Sequence, residues 1–278
     1  EHVFRAETFS QLSALPLNSP VTPDALAAVL AHPSGGLKNI PASARRICLL
    51  NQADDEAAQA QAQQVALKLQ NTYSAVVVAA LKDSLIHAVF EPAAGVVLAA
   101  GGARRMGKPK LLLEWHGEPI IRHTVRCALD AGLGQVVVVT GANAAEVERA
   151  LTGLPVQLVH NADWQAGQST SVKAGLAALP PETGAAAFLL GDQPQIPSQL
   201  VQALVQQHYR TLAPVTCPLI DQQRGNPILF DRVTFTDFMQ LQGDAGARQI
   251  LSKYPLDYLP WHDASLLLDV DTPEDYAR

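Results

Sequence analysis

From residue 93 onward the chain alternates short, wholly apolar runs with longer amphipathic ones. GVVLAA, QVVVVT and AAAFLL lack the polar alternation of a strand with one wet face, so each must be covered on both faces. A parallel sheet between two helical layers meets that demand. Strands are expected at residues 95–100, 135–140, 156–159, 186–190, 213–218 and 266–270, with helices at 118–132, 143–151, 169–179, 197–211 and 246–253. The fold class is therefore α/β, a doubly wound three-layer sheet. Composition agrees, since 48% of residues are apolar, 17% charged and 5% aromatic, which excludes disorder and disfavours an aromatic-rich sandwich.

Residues 1–92 read as a smaller, partial α/β segment. TPDALAAVLAH offers Thr22 as an N-cap with Pro23 in the first turn, and Gly35 and Gly36 end that helix. A strand at 47–50, a helix rich in glutamine and alanine, and a second strand in SAVVVAALK then form a βαβ unit. Such a unit needs further strands, and nothing upstream supplies them. Pro92 marks the restart of the pattern, which gives two domains, 1–92 and 93–278. The chain opens on Glu1, with neither a basic start nor an apolar signal core, as a fragment or a processed chain would.

Charge and cysteine usage narrow the setting. Asp and Glu total 26 against 20 Lys and Arg, so the net field opposes nucleic acid and anionic membranes. No apolar run approaches the roughly 20 residues of a membrane-spanning helix. Cys48, Cys127 and Cys217 are widely spaced and lie in or beside apolar segments, which suggests neither a disulfide framework nor a zinc site and points to a reducing cytoplasm.

The chemistry concentrates where apolar runs end. The first strand after Pro92 leads into Gly101 and Gly102, followed by Arg104, Arg105, Lys108 and Lys110. A glycine turn after a buried strand lets backbone N–H groups approach phosphate, and the basic side chains supply counter-charge. The pattern is neither GxGxxG nor GxxxxGK[ST], and a tight turn with solvated basic residues is the plainer alternative. In FLLGDQPQI, Asp192 follows a buried strand, where open α/β sheets place ligands and where turns and N-caps also recruit aspartate. Asp269 and Asp271 flank Val270, so strand alternation points both carboxylates to one face. Mg²⁺ takes one or two carboxylates plus phosphate oxygens, which Asp192 and Asp271 would provide across the sheet edge. Thr272-Pro273 followed by acidic residues is equally a helix start. Trp164, Gly167, Ser169 and Ser171 lead into a helix whose N-terminus offers unbonded N–H groups, or is simply capped by Ser169. Arg224, Asn226, Asp244 and Arg248 sit beside glycines in connecting segments, where hairpin and cap roles are the alternative. The eight histidines form no HExxH or triad pattern.

LAAGGARRMGKPK resembles the LAAGxSxRMGxxK signature of nucleotidyltransferases of the molybdenum cofactor family. NADWQAGQSTSVKAGL, FLLGDQPQI, RGNPILF, GDAGARQIL and DVDTPEDY recur in that family's order, so the resemblance covers roughly residues 94–278. Ala103 departs from the signature, which has serine there and one more hydroxyl for phosphate. The resemblance implies a Rossmann-like nucleotidyltransferase domain in which Arg105 and Lys110 hold the triphosphate. Asp192 acts with them, while Leu98, Ala99, Ala100, Gly101 and Gly102 carry the backbone that reads the base. Asn161 and Ser171 then contact base and ribose, Asp271 and after it Asp269 join Asp192 on Mg²⁺, and Asn226, Asp244 and Arg248 face the pterin substrate. The implied reaction transfers CMP from CTP to the phosphate of a molybdopterin-type cofactor, releasing pyrophosphate, with a molybdenum hydroxylase as the recipient partner.

A guanylyltransferase, a sugar-phosphate nucleotidyltransferase and a non-catalytic cofactor-carrying chaperone remain alternatives. The family's guanylyl branch reads LAGG where this chain has Ala99-Ala100, which favours cytidine, and the two aspartates Asp192 and Asp271 argue for catalysis. HPSGGLKNIPASARRICLLNQAD is similar to the latter part of an accessory protein of selenium-dependent molybdenum hydroxylases, with a P-loop-like nucleotide domain. Gln52 replaces the lysine of its Asn-Lys-x-Asp base reader, so residues 1–92 alone are not expected to hydrolyse nucleotide.

Overall fold

The computed structural model describes residues 47–51, 53, 55–70, 73–80, 83–102, 109–244, 246–263 and 266, with the side chain of Arg248 left out. The helix expected at 22–32, Arg105, Asp269 and Asp271 lie outside the described residues. Two compact units divide between Pro92 and Ala93.

In the first unit, β1 (Ile47–Leu50) and β2 (Ala75–Ala80) are parallel and joined through α1 (Glu56–Leu69), while β3 (Leu85–Phe90) returns antiparallel to β2. The strand that completes the βαβ unit thus comes from downstream, after a turn in which Ser84 has φ 58°. Asp55 caps α1, its Oδ1 accepting from the Ala58 amide at 2.7 Å. Val65, Ala66 and Leu69 are the buried side chains of that helix.

The second unit is built on one eight-stranded sheet. Its strands are β4 (Ala93–Ala99), β7 (Gln135–Thr140), β8 (Gln157–His160), β9 (Ala185–Leu190), β10 (Val215–Ile220), β11 (Gln223–Arg224), β12 (Ile228–Asp231) and β13 (Leu256–Pro260). The order across the sheet is β13, β10, β12, β9, β4, β7, β8, and β11 pairs the far end of β10. β8, β7, β4 and β9 are parallel, and β12 runs antiparallel between β9 and β10. The helices are α2 (Ile120–Asp130), α3 (Ala144–Ala150), α4 (Gln168–Ala177), α5 (Ser198–Thr211), α6 (Phe235–Gln240) and α7 (Ala247–Leu251).

Strand alternation sorts the core into two layers. Val97, Val136, Val138, Ala187 and Leu189 pack with Ile121, Val125, Leu200 and Leu204 of α2 and α5. Val96, Val137, Val139, Ala186 and Phe188 pack with Val172, Leu176, Phe238 and Ile250 of α4, α6 and α7. The expected three-layer α/β class is the observed one, with differences at the margins. Residues 118–119 are not helical but pair in the small hairpin of β5 (Glu114–Trp115) and β6 (Glu118–Pro119), whose turn holds His116 at φ 47° and Gly117 at φ 84°. The outer partner of β10 is β13, and Leu266, the described residue of the strand expected at 266–270, lies in a helical turn donating to the Asp263 carbonyl. Among the described residues no helix is long and apolar enough to cross a membrane.

Close packing of α4 rests on Gly175, where a Cβ would meet Val96 Cγ1 at 2.5 Å and Val139 Cγ2 at 3.1 Å. Gly175→Val should therefore cost stability at the upper end of roughly 1–3 kcal/mol, since overpacking displaces a helix from its sheet. Thermal unfolding followed by circular dichroism would register this, and an unchanged melting temperature would contradict it.

All three cysteines are unbridged and buried. Burial pushes the Cys48 and Cys127 thiols up to about 12 and Cys217 up to about 11. At pH 8 the thiolate fraction of each is about a thousandth or less. A thiol reagent should label the native protein slowly and take up three equivalents once denaturant is added; rapid native labelling would place a cysteine elsewhere.

Candidate active site

The chain runs from β4 to β7 and β8 on one side, then crosses to β9 on the other. Loops leaving the ends of β4 and β9 consequently diverge, and such a reversal opens a crevice at the carboxyl edge of a parallel sheet. Three backbones come close there. A Cβ at Gly141, just past β7, would meet the Ala100 carbonyl oxygen at 2.6 Å, and one at Gly191, just past β9, would meet the Leu98 oxygen at 3.0 Å. The Gly191 amide donates to Leu98 O at 3.0 Å and the Ala142 amide to Ala100 O at 3.2 Å.

These bonds redistribute the work expected of residues 98–102. The Leu98 and Ala100 carbonyls are engaged by neighbouring strands, and the Ala99 methyl belongs to the core layer of Val97 and Leu189. Gly101 is exposed, and a Cβ built on it meets nothing within 4 Å among the described residues. Gly102 faces Trp164, whose ring atoms lie 3.1 and 3.2 Å from where its Cβ would be. Within this segment the open backbone is at Gly101.

Lys110 begins a single helical turn, Lys110–Leu112, after Pro109. Leu111 and Leu112 pack against the core, and Lys110 itself is 7% exposed. Its Nζ donates to Asp192 Oδ2 at 2.8 Å, while the Asp192 side chain keeps a third of its surface. The triphosphate candidate and the metal candidate are thus brought together as an ion pair. Thr124, fully buried on α2, donates through Oγ1 to the Gly191 carbonyl at 3.2 Å, and the Gln193 amide bonds Leu190 O at 3.2 Å. These bonds and the Leu98 contact fix the turn that carries the carboxylate. Thr124 escaped the sequence reading, although a lone hydroxyl on the buried stripe of Ile120, Ile121, Val125 and Ala128 was its visible signal.

Asn161 and Ser171 also come together. The Asn161 side-chain amide donates to Thr170 Oγ1 at 2.8 Å and Ser171 Oγ at 2.9 Å, and its oxygen accepts from the Asp163 amide at 3.0 Å. Asn161 and Ser171 are each 6% exposed, so these groups tie the loop after β8 to the start of α4. Gly167 holds φ 117° there, and a Cβ on it would fall 2.2 Å from the Gly243 carbonyl carbon. Asp244 is exposed beside this contact, and the Ser169 amide bonds Gly243 O at 3.1 Å. Asn226 belongs to another part of the edge. It precedes the cis bond to Pro227, and the Ile228↔Phe188 register carries it toward the β9 end that bears Asp192. Arg248 is in α7, with its side chain outside the description.

Asp192 suits a small divalent ion that keeps waters and phosphate oxygens as its other ligands, because its carboxylate is partly exposed at the crevice. Among the described residues no three His, Cys, Asp or Glu side chains form an all-protein cage.

The model of the MobA-like NTP transferase domain matches residues 95–273. The nicotine blue oxidoreductase of Paenarthrobacter nicotinovorans is 33% identical over 66% of this chain and 94% of its own length. The molybdenum cofactor cytidylyltransferase of Escherichia coli (strain K12) is 28% identical over 65% of this chain and 92% of its own. The crystal structure of Rv0371C in complex with manganese, from Mycobacterium tuberculosis H37Rv, aligns with a TM-score of 0.59 at 28% identity, covering 67% of this chain and 97% of that one. The chain belongs to the MobA-like NTP transferase family and is an enzyme of the nucleotidyltransferase class.

Proposed function

We propose that this enzyme transfers CMP from CTP to the terminal phosphate of a molybdopterin-type cofactor, completing the cofactor for a molybdenum hydroxylase. The observation that carries the reading is the Lys110–Asp192 ion pair, its carboxylate on the turn just past β9. The cytidylyl choice draws support from the identity with the Escherichia coli cytidylyltransferase and from Ala99-Ala100. Residues 93–278 are the transferase domain in this reading, residues 1–92 a partial accessory domain, and the cytoplasm the setting.

In the reaction an oxygen of the pterin phosphate bonds to the α-phosphorus of CTP as the bond from that phosphorus to its bridging oxygen breaks. Pyrophosphate leaves with the electron pair. The attacking phosphate is already ionised near pH 7, so no residue need remove a proton. Alignment and charge neutralisation are what remain for the protein. Gly101 admits the phosphates to the backbone, and Lys110 with Arg105 neutralises the leaving pyrophosphate. Asp192, with Asp271 and Asp269, would hold Mg²⁺, which when bound supplies charge opposite the α-phosphate. Thr124 keeps Asp192 in place. Asn161 and Ser171 shape the loop along the nucleotide, while Asn226, Asp244 and Arg248 serve the pterin side.

Asp192→Asn should lower turnover by on the order of 100-fold while the protein still unfolds cooperatively, because the amide keeps the shape and loses the charge. Pyrophosphate release with CTP and metallated pterin measures this, and a rate near that of the unaltered enzyme would remove Asp192 from catalysis.

Gly101→Ala probes the nucleotide directly. Among the described residues the added methyl meets no protein atom within 4 Å, so the melting temperature should hold while CTP binding weakens at least about tenfold, a loss of roughly 1.4 kcal/mol. Unchanged affinity would move the phosphates away from this turn. Competition between CTP and GTP in the same assay should favour CTP, and preference for GTP would replace the cytidylyl assignment with the guanylyl one.

A further inference from the structure

Lys110 and Asp192 have been given separate tasks, one toward phosphate and one toward a metal, yet they occupy each other. Lys110 is 7% exposed as a residue, so its charge is poorly hydrated and needs an anion beside it. Asp192 Oδ2, 2.8 Å away, is such an anion. A divalent cation bound to the same carboxylate would bring a second positive charge beside the ammonium, and in a half-buried site two such charges repel strongly. Lys110 and the cation therefore compete for one group.

The mobility of the two partners is unequal. Asp192 follows a turn held by Leu98 O, Thr124 Oγ1 and the Gln193–Leu190 bond. The lysine charge ends a four-carbon stem that swings by rotamer change, from a backbone anchored through Leu111 and Leu112. Resting on the function proposed above, the geometry points to Lys110 as a gate on the metal site. The ammonium neutralises Asp192 while the enzyme is empty, and it releases the carboxylate to a divalent cation when a triphosphate draws it away. Metal and nucleotide then bind with positive coupling, and each tightens the other by the same factor. The empty enzyme is kept from loading free cation that would hold the site without substrate.

The test is Mn²⁺ binding to the full chain without nucleotide, followed by the electron paramagnetic resonance signal of the free ion. Lys110→Met keeps the stem and removes the charge, and it should bind Mn²⁺ about tenfold more tightly than the unaltered protein, within the usual range of coupling. A merely structural lysine would not give this result, because a damaged site loosens its ligand. Adding Asp192→Asn to Lys110→Met should abolish the gain.

Equal Mn²⁺ affinity with and without the Lys110 charge, together with weakened binding in Asp192→Asn, would overturn the gate and leave Asp192 as a metal ligand. Indifference of Mn²⁺ to Asp192→Asn in both backgrounds would overturn the metal assignment itself, and the gate with it. Lys110→Gln, read in the same way, serves if the methionine variant does not fold.

Discussion

The constraint on which the second unit depends is the complete enclosure of β4. Its edges are taken by β7 and β9, and its faces by the two core layers, with Val96 and Val97 at 0% exposure. A strand so enclosed has polar backbone partners along its length and can offer free ones only past its end. The switch in chain direction on either side of β4 keeps that end from being roofed by its own connections. Glycines then appear where backbones crowd: Gly141 against Ala100, Gly191 against Leu98, and Gly167 against Gly243. Packing the sheet interior and leaving an open edge past β4 are two results of one topology.

Much of this was legible in the sequence for a simple reason. Doubly buried strands are continuous apolar runs, and residues 135–140 and the start of β9 match their expected bounds within a residue. The marginal strands follow no such rule. β13, LDYLP, is half-covered, and Asp257 and Pro260 break its apolar run. β12 is four residues long behind Pro227, and its antiparallel insertion between β9 and β10 leaves no local mark. Among the described residues β3 pairs with β2 alone, and it exposes Leu85 and Ile86.

The site divides along the same line. Glycines, basic residues and the strand-end aspartate are local signals, readable because the chemistry selects residue types. The contact of Lys110 with Asp192 spans 82 positions, and Thr124 acts through the Gly191 carbonyl, a backbone atom that any residue possesses. Asn161 shows the converse. Its position in the motif suggested a ligand contact, while three hydrogen bonds, to Asp163, Thr170 and Ser171, give it the prior task of tying its loop to the start of α4.

In the function proposed above, pairing the buried Lys110 with the Asp192 carboxylate resolves an electrostatic difficulty common to triphosphate sites. Cations sufficient to stabilise departing pyrophosphate would, without an anion nearby, be costly to leave poorly hydrated in the empty enzyme. Carboxylates sufficient to hold a divalent ion would repel the incoming phosphates. Placing one of each 2.8 Å apart would let each satisfy the other until substrate and metal arrive together, and the exchange would then leave neither charge unpaired: one protein pair opens as a lysine–phosphate and a carboxylate–metal pair form. Because the desolvation of both groups is already met in the folded state, the substrate's binding energy need not supply it, and more of that energy remains for aligning the reacting atoms.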